Sequence, residues 1–280
     1  MESLVSTDWL AEHLDEPDLV VVDCSWHLPA TGRSGYEDYL EAHIPGARFF
    51  DLDSVSDTAN PAPHMLPGAR EFGRAMEAIG IGSDDRIVVY DNSPLRTAPR
   101  GWFALRHFGA RNVAVLDGGF QKWVAEDHPA ESGEAKPRSA RFEAVERPGE
   151  VVTKAQLLAG IGLPLVDARG QPRFEGTEPE PRAGMASGHI PGARNIPYSS
   201  LYNDDGTLKG RDEIRGIFDR ARTNPEQPFV ASCGSGVTAA SLIFAAHLLG
   251  NEGARLYDGS WAEWGADPAT PKALGPAEAQ

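Results

Sequence analysis

Short unbroken runs of aliphatic and β-branched residues recur along the chain: LVVVD at 19–23, RIVVYD at 86–91, VAVLDG at 113–118, PLVDA at 164–168 and PFVAS at 228–232. None alternates apolar with polar positions, so each reads as a strand covered on both faces. Between them lie segments with helical spacing of apolar residues, at 7–14, 69–79, 97–108, 154–159, 211–221 and 238–249. Strands alternating with helices predict an α/β fold built on a mostly parallel sheet flanked by helices.

The pattern also repeats. HIPGAR occurs at 43–48 and again at 189–194, and LVVVD before Cys24 is matched by LPLVD before Ala168. LDGGFQKW at 116–123 pairs with YDGSWAEW at 257–264, and TAPRGWFALRHFG from Thr97 with TAASLIFAAHLLG from Thr238. A length of 280 residues already exceeds the usual single domain. The repeat makes it two copies of one unit. The expected division is an N-terminal domain at 1–135, a linker at 136–150 rich in proline, glycine and charge, and a C-terminal domain at 151–280.

Composition narrows the function. The net charge of −15 argues against nucleic acid or an anionic membrane as a partner, and any anionic substrate needs a local cluster of arginines. The start, MESLVSTDWLAEHLDEPD, is acidic and lacks an apolar core, so it reads as mature protein without a signal peptide, and no stretch approaches the roughly 18 apolar residues of a membrane span. A cytoplasmic location is expected. The two cysteines, Cys24 and Cys233, have neither CxxC nor cysteine/histidine ligand spacing, which argues against a disulfide framework or a zinc site.

The stretch VASCGSGVTAA at 230–240 carries the candidate chemistry. A loop running from a strand end into a helix can curl so that backbone N–H groups and the helix dipole face an anion, and Gly234 and Gly236 allow the ring to close. A thiolate there is stabilised, since helix N-termini draw a cysteine pKa from about 8.5 to roughly 3.5–7.5. The competing reading, a buried core thiol, suits Cys24, which has no such loop. Alignment of the copies puts Asp91 where Cys233 stands, so only the second copy has the thiol. His43 and His189 occur in both copies and read as architectural.

The duplicated HIPGAR, the CGSGVTA loop and the DGSWAEWG ending resemble the tandem-domain rhodanese family over essentially the whole chain. The resemblance implies two tandem rhodanese-like domains, the first without the catalytic cysteine. It implies a sulfurtransferase that moves sulfane sulfur from 3-mercaptopyruvate, through a Cys233 persulfide, to a thiol such as thioredoxin or to cyanide. Pyruvate is released, no cofactor is needed, and the chain is expected to be a monomer. In RFEGTEPEPR at 173–182, Arg173 and Arg182 fall on the family's substrate-binding arginines. Asp53 and His64 fall on an aspartate and a histidine that join the loop serine, Ser235, in a relay. Gly234, Gly236, Val237 and Thr238 complete the substrate-binding loop.

Thiosulfate:cyanide transfer is the nearest alternative. Rhodaneses of that kind resemble this chain but usually carry basic residues directly after the cysteine, where Gly234 and Ser235 stand. A cysteine phosphatase needs an arginine closing a C(x)5R loop, and the sixth residue after Cys233 is Ala239. A carrier or scaffold role without catalysis is the remaining alternative, against which the intact cysteine loop counts. The family pattern is broken at DNSPLRTAPR, where Arg96 and Thr97 place an extra cation that bears on acceptor or substrate preference.

Overall fold

The computed structural model describes residues 1–277. It forms two compact units: Met1–Asp57, Leu66–Arg147 and Asn203–Leu208 in the first, and Thr58–Met65, Pro148–Tyr202 and, among the described residues, 209–277 in the second. Each is built around one five-stranded sheet in which every pairing is parallel.

The first unit carries β1 (Leu4–Val5), β2 (Leu19–Asp23), β3 (Arg48–Phe49), β4 (Arg86–Tyr90) and β5 (Asn112–Leu116), in the order β1-β5-β4-β2-β3. The second carries β6 (Val151–Val152), β7 (Leu165–Asp167), β8 (Arg194–Asn195), β9 (Val230–Ser232) and β10 (Arg255–Tyr257), in the order β6-β10-β9-β7-β8. Position by position these are the same sheet. All five residues of β2 and all three of β9 are buried, as strands covered on both faces require.

Helices in the first unit are α1 (Thr7–His13), α2 (Gly35–Glu41), α3 (Ala69–Ala78), α4 (Ala98–His107) and α5 (Gly119–Ala125). Those in the second are α6 (Lys154–Ala159), α7 (Gln171–Glu175), α8 (Arg211–Arg220), α9 (Ala239–Leu248) and α10 (Ser260–Trp264). The α9 helix is apolar nearly all round and buried through Ala246, the mark of a helix packed inside its unit. Among the described residues no helix is long and apolar enough to cross a membrane.

His43 and His189 do one job in the two copies. Nδ1 of His43 lies 2.7 Å from the Tyr39 carbonyl and its ring stacks on Tyr39; Nδ1 of His189 lies 2.9 Å from the Phe174 carbonyl and its ring stacks on Phe174.

The boundaries differ from the expected ones in two places. The stretch read as a linker at 136–150 is packed on the first unit as far as Arg147: Phe142 is buried edge-on to Phe72, its N–H donates to Glu77, and the N–H groups of Val145 and Arg147 donate to Phe108 and His107. Proline and charge marked it as irregular, but one buried phenylalanine anchors it. The units also exchange segments, since 58–65 belongs to the second and 203–208 to the first. Such pairing is non-local and has no periodic signature.

Candidate active site

Cys233 follows β9 directly and is buried, with 1 % of its surface exposed. Six residues later α9 begins at Ala239, with Thr238 in its N-cap position. The loop between is tied from below by one side chain. Ser260 Oγ accepts the N–H of Cys233 at 3.0 Å and of Gly236 at 3.1 Å, and donates to the Tyr257 carbonyl at 2.8 Å. The N–H groups of Trp261 and Ala262 bind the carbonyls of Cys233 and Gly234 at 3.0 and 2.9 Å. Gly236 has φ 76°, the left-handed conformation that a glycine supplies without a Cβ penalty.

Among the described residues, the N–H groups of Gly234, Ser235, Val237 and Thr238 donate to no protein acceptor. They lie at the start of α9, where unpaired N–H groups and the helix dipole favour an anion. The first unit places a carboxyl at the corresponding position. Asp91, which follows β4 as Cys233 follows β9, is buried and accepts the N–H groups of Ser93 at 2.9 Å and Ala98 at 2.8 Å. Burial raises its carboxyl above the usual range, and those two N–H groups act against the rise. The other thiol, Cys24, is packed in the first unit's core, and burial pushes its pKa far up, with Asp23 and Asp91 adding to the effect.

Ser235 and His64 meet: Nδ1 of His64 lies 2.9 Å from Ser235 Oγ, and both residues are buried. His64 sits on the exchanged segment 58–65 with φ 62°, a left-handed backbone rare for a residue with a side chain. Asp53 is exposed in the first unit, where its carboxylate accepts the Trp26 indole N–H at 3.0 Å.

Arg173 lies in the last turn of α7, with Nη2 only 3.2 Å from where a Cβ on Gly234 would stand. Its Nη2 donates to Glu180 at 2.5 Å and its Nε to the same carboxylate at 3.4 Å. Glu180 also accepts from Arg169 Nη1 at 2.6 Å, and Arg169 grips Asp167 through Nε and Nη2 at 3.0 and 2.7 Å. Arg169 packs over the Trp261 ring at 4.6 Å. Burial works to lower the Arg169 pKa, and Asp167 and Glu180 more than offset it, leaving it above the ordinary arginine range. Arg182 is half-buried two residues beyond Glu180.

Sequence reasoning missed Ser260, Glu180 and Arg169. A signal existed for the first: after the shared Asp-Gly, YDGS has a serine where LDGG has a glycine, and Ser260 holds φ 49° where Gly119 has φ 61°. An open cavity of about 830 Å³ in the second unit is lined by Leu163, Phe174, Ile190 and Arg194, among others, and touches none of the candidate site residues. It opens at the start of β7, whereas ligand sites of parallel sheets lie at the carboxyl ends of the strands, where β9 presents Cys233.

The model of the rhodanese-like domain matches twice, over residues 6–126 and 153–267. The chain belongs to the rhodanese family. Within that family, a human 3-mercaptopyruvate sulfurtransferase is 42% identical over 271 residues, covering 94% of this chain and 91% of the relative. A thiosulfate sulfurtransferase from Rattus norvegicus is also 42% identical, over 272 residues, with the same coverage. Among solved structures, SseA from Escherichia coli, described as a 3-mercaptopyruvate sulfotransferase of rhodanese fold, superposes with a TM-score of 0.85 at 38% identity, covering 93% of this chain and 99% of that one.

Proposed function

We propose that this rhodanese is a sulfurtransferase whose donor is 3-mercaptopyruvate. The observation that carries the choice is the uncharged pair Gly234–Ser235 directly after Cys233, with the Arg173 guanidinium lying against Gly234. A planar guanidinium suits a carboxylate. The sulfonate dianion of thiosulfate calls for further cations in the loop, and each charge-assisted hydrogen bond is worth about 1.5–3 kcal/mol, or roughly one to two decades in affinity.

In the proposed reaction the Cys233 thiolate, stabilised by the loop N–H groups and the α9 dipole, attacks the sulfur of 3-mercaptopyruvate. A sulfur–sulfur bond forms, the carbon–sulfur bond breaks, and its electron pair passes to the pyruvate enolate. The Ser235–His64 pair supplies a proton to the enolate carbon and recovers it from solvent. Arg173 and Arg182 hold the carboxylate and keto oxygen. A second thiol, with thioredoxin as the inferred protein acceptor, then takes the outer sulfur from the Cys233 persulfide and restores the free cysteine.

The equal identity to a thiosulfate sulfurtransferase keeps thiosulfate as the second reading. The test is intact mass after exposure to 3-mercaptopyruvate without acceptor. A gain of one sulfur atom on Cys233, with stoichiometric pyruvate, is the expected result. A gain on Cys24, or no gain, contradicts the reading.

A further inference from the structure

Arg173 does not stand alone. Glu180, with 1% of its side chain exposed, joins it to Arg169, which is equally buried, while the Arg173 side chain retains 24% exposure. The buried pair is a rigid post and Arg173 is its outer end. Arg169 is itself fixed by Asp167, by the Gly188 carbonyl at 2.8 Å and by the Trp261 ring. The backbone N–H of Trp261 in turn donates to the Cys233 carbonyl. One connected set of contacts therefore runs from the carboxylate of Glu180 to both Arg173 and the cysteine loop.

The duplicate unit argues that the fold does not require this post. Asp23 occupies the place of Asp167, and the same local turn forms in both copies: Ser25 N–H donates to Asp23 Oδ1 at 2.8 Å and Arg169 N–H to Asp167 Oδ1 at 2.9 Å. The first unit thus has a serine where the second has the guanidinium. Its buried Asp23, left without that cation, is pushed by burial up to about 7. The Arg169–Glu180 pair exists only in the copy that carries Cys233.

We propose that Glu180 is a positioning residue: its buried carboxylate, anchored by Arg169, holds the Arg173 guanidinium beside Gly234 and so sets the geometry in which the donor carboxylate is gripped. This rests on the reading of Arg173 as a carboxylate-binding group. Of the five N–H donors of a guanidinium, two are committed to Glu180, which orients the remainder and lowers the entropy lost when a donor binds.

The test is steady-state pyruvate release from 3-mercaptopyruvate by the full chain and four variants: Glu180→Gln, Glu180→Asp, Arg173→Ala and the double variant Glu180→Gln/Arg173→Ala. Glu180→Gln keeps the shape and loses the charge, and is expected to raise KM on the order of tenfold with kcat within about threefold. Glu180→Asp is expected to recover part of the KM, and the double variant to be no worse than Arg173→Ala. A folded Glu180→Gln enzyme with unchanged KM, or a double variant whose losses add, overturns the positioning role. If Glu180→Gln fails to fold, Glu180→Asp carries the test, with unchanged KM as the overturning result. Arg173→Ala with unchanged KM would instead sink the reading of Arg173, so the two failures are distinguishable.

Discussion

Ser260 Oγ lies 3.0 Å from the backbone nitrogen of Cys233 and accepts its N–H. The hydroxyl is held there at a cost, because Ser260 has φ 49° in the place where the duplicate unit has Gly119. A left-handed backbone costs a residue with a Cβ about 1–2 kcal/mol. Ser260→Gly is therefore expected to regain about 1 kcal/mol of backbone strain that Ser260→Ala retains. Both variants remove the acceptor of the buried Cys233 N–H, at about 1–3 kcal/mol, and loosen the loop. Urea unfolding should rank glycine above alanine in stability, while persulfide formation slows in both. Undiminished persulfide formation by a folded Ser260→Gly protein would separate the hydroxyl from the chemistry.

His64 Nδ1 lies 2.9 Å from Ser235 Oγ, and the proposed mechanism gives this pair a proton transfer that one donor needs and the other does not. Pyruvate leaves as an enolate whose carbon must gain a proton; sulfite leaves thiosulfate as an anion. His64→Asn suits the left-handed backbone, since asparagine tolerates it, and cannot exchange a proton near neutral pH. Its kcat with 3-mercaptopyruvate is expected to fall by about 10²–10⁴, with a loss at least about tenfold smaller for thiosulfate. Equal losses with both donors would assign His64 to loop structure.

Gly234 and Arg173 are close neighbours. A side chain at 234 meets Nη2 of Arg173 at 3.2 Å, so Gly234→Arg crowds and repels the guanidinium. The ratio of kcat/KM between the donors is expected to swing towards thiosulfate by about tenfold or more. An unchanged ratio would remove this contact from donor choice.

Asp23 makes the first unit sensitive to pH. Burial raises its carboxyl from the ordinary value near 4 up to about 7, so the folded chain binds a proton that the unfolded chain has released. Its contribution is present in full below about pH 4, declines as pH rises at about 1.4 kcal/mol per unit, and is gone above about 7. Asp23→Asn can still accept from Ser25 N–H and lacks the titration. The stability difference between the variant and the parent, from urea unfolding at a series of pH values, should grow in the variant's favour between about pH 4 and 7. A constant difference would place the Asp23 carboxyl at its ordinary value.

The fold was legible where burial leaves a pattern. LVVVD at 19–23 is β2 because every side chain is covered, and the segments at 69–79 and 211–221 are α3 and α8 because one stripe is buried. Two-residue strands such as β3 and five-residue helices such as α7 and α10 are too short to show a period, and tertiary packing sets them. At the site, the contrast of Cys233 with Asp91 was readable because the duplication supplies its own reference. Ser260 was readable from the same contrast. Glu180 was not: within RFEGTEPEPR it is one of several acids, and burial between two arginines marks it only once the chain is folded. The passage of 58–65 into the second unit, which brings His64 to Ser235, depends on contacts far apart in sequence.

The central claim is that a neutral cysteine loop beside a clamped arginine selects 3-mercaptopyruvate. Its most direct test is kcat/KM for 3-mercaptopyruvate and thiosulfate measured side by side on the same preparation, with one common thiol acceptor. The expected result is a preference of about tenfold or more for 3-mercaptopyruvate, lost when Cys233 is replaced by serine. An equal or higher value for thiosulfate would contradict it.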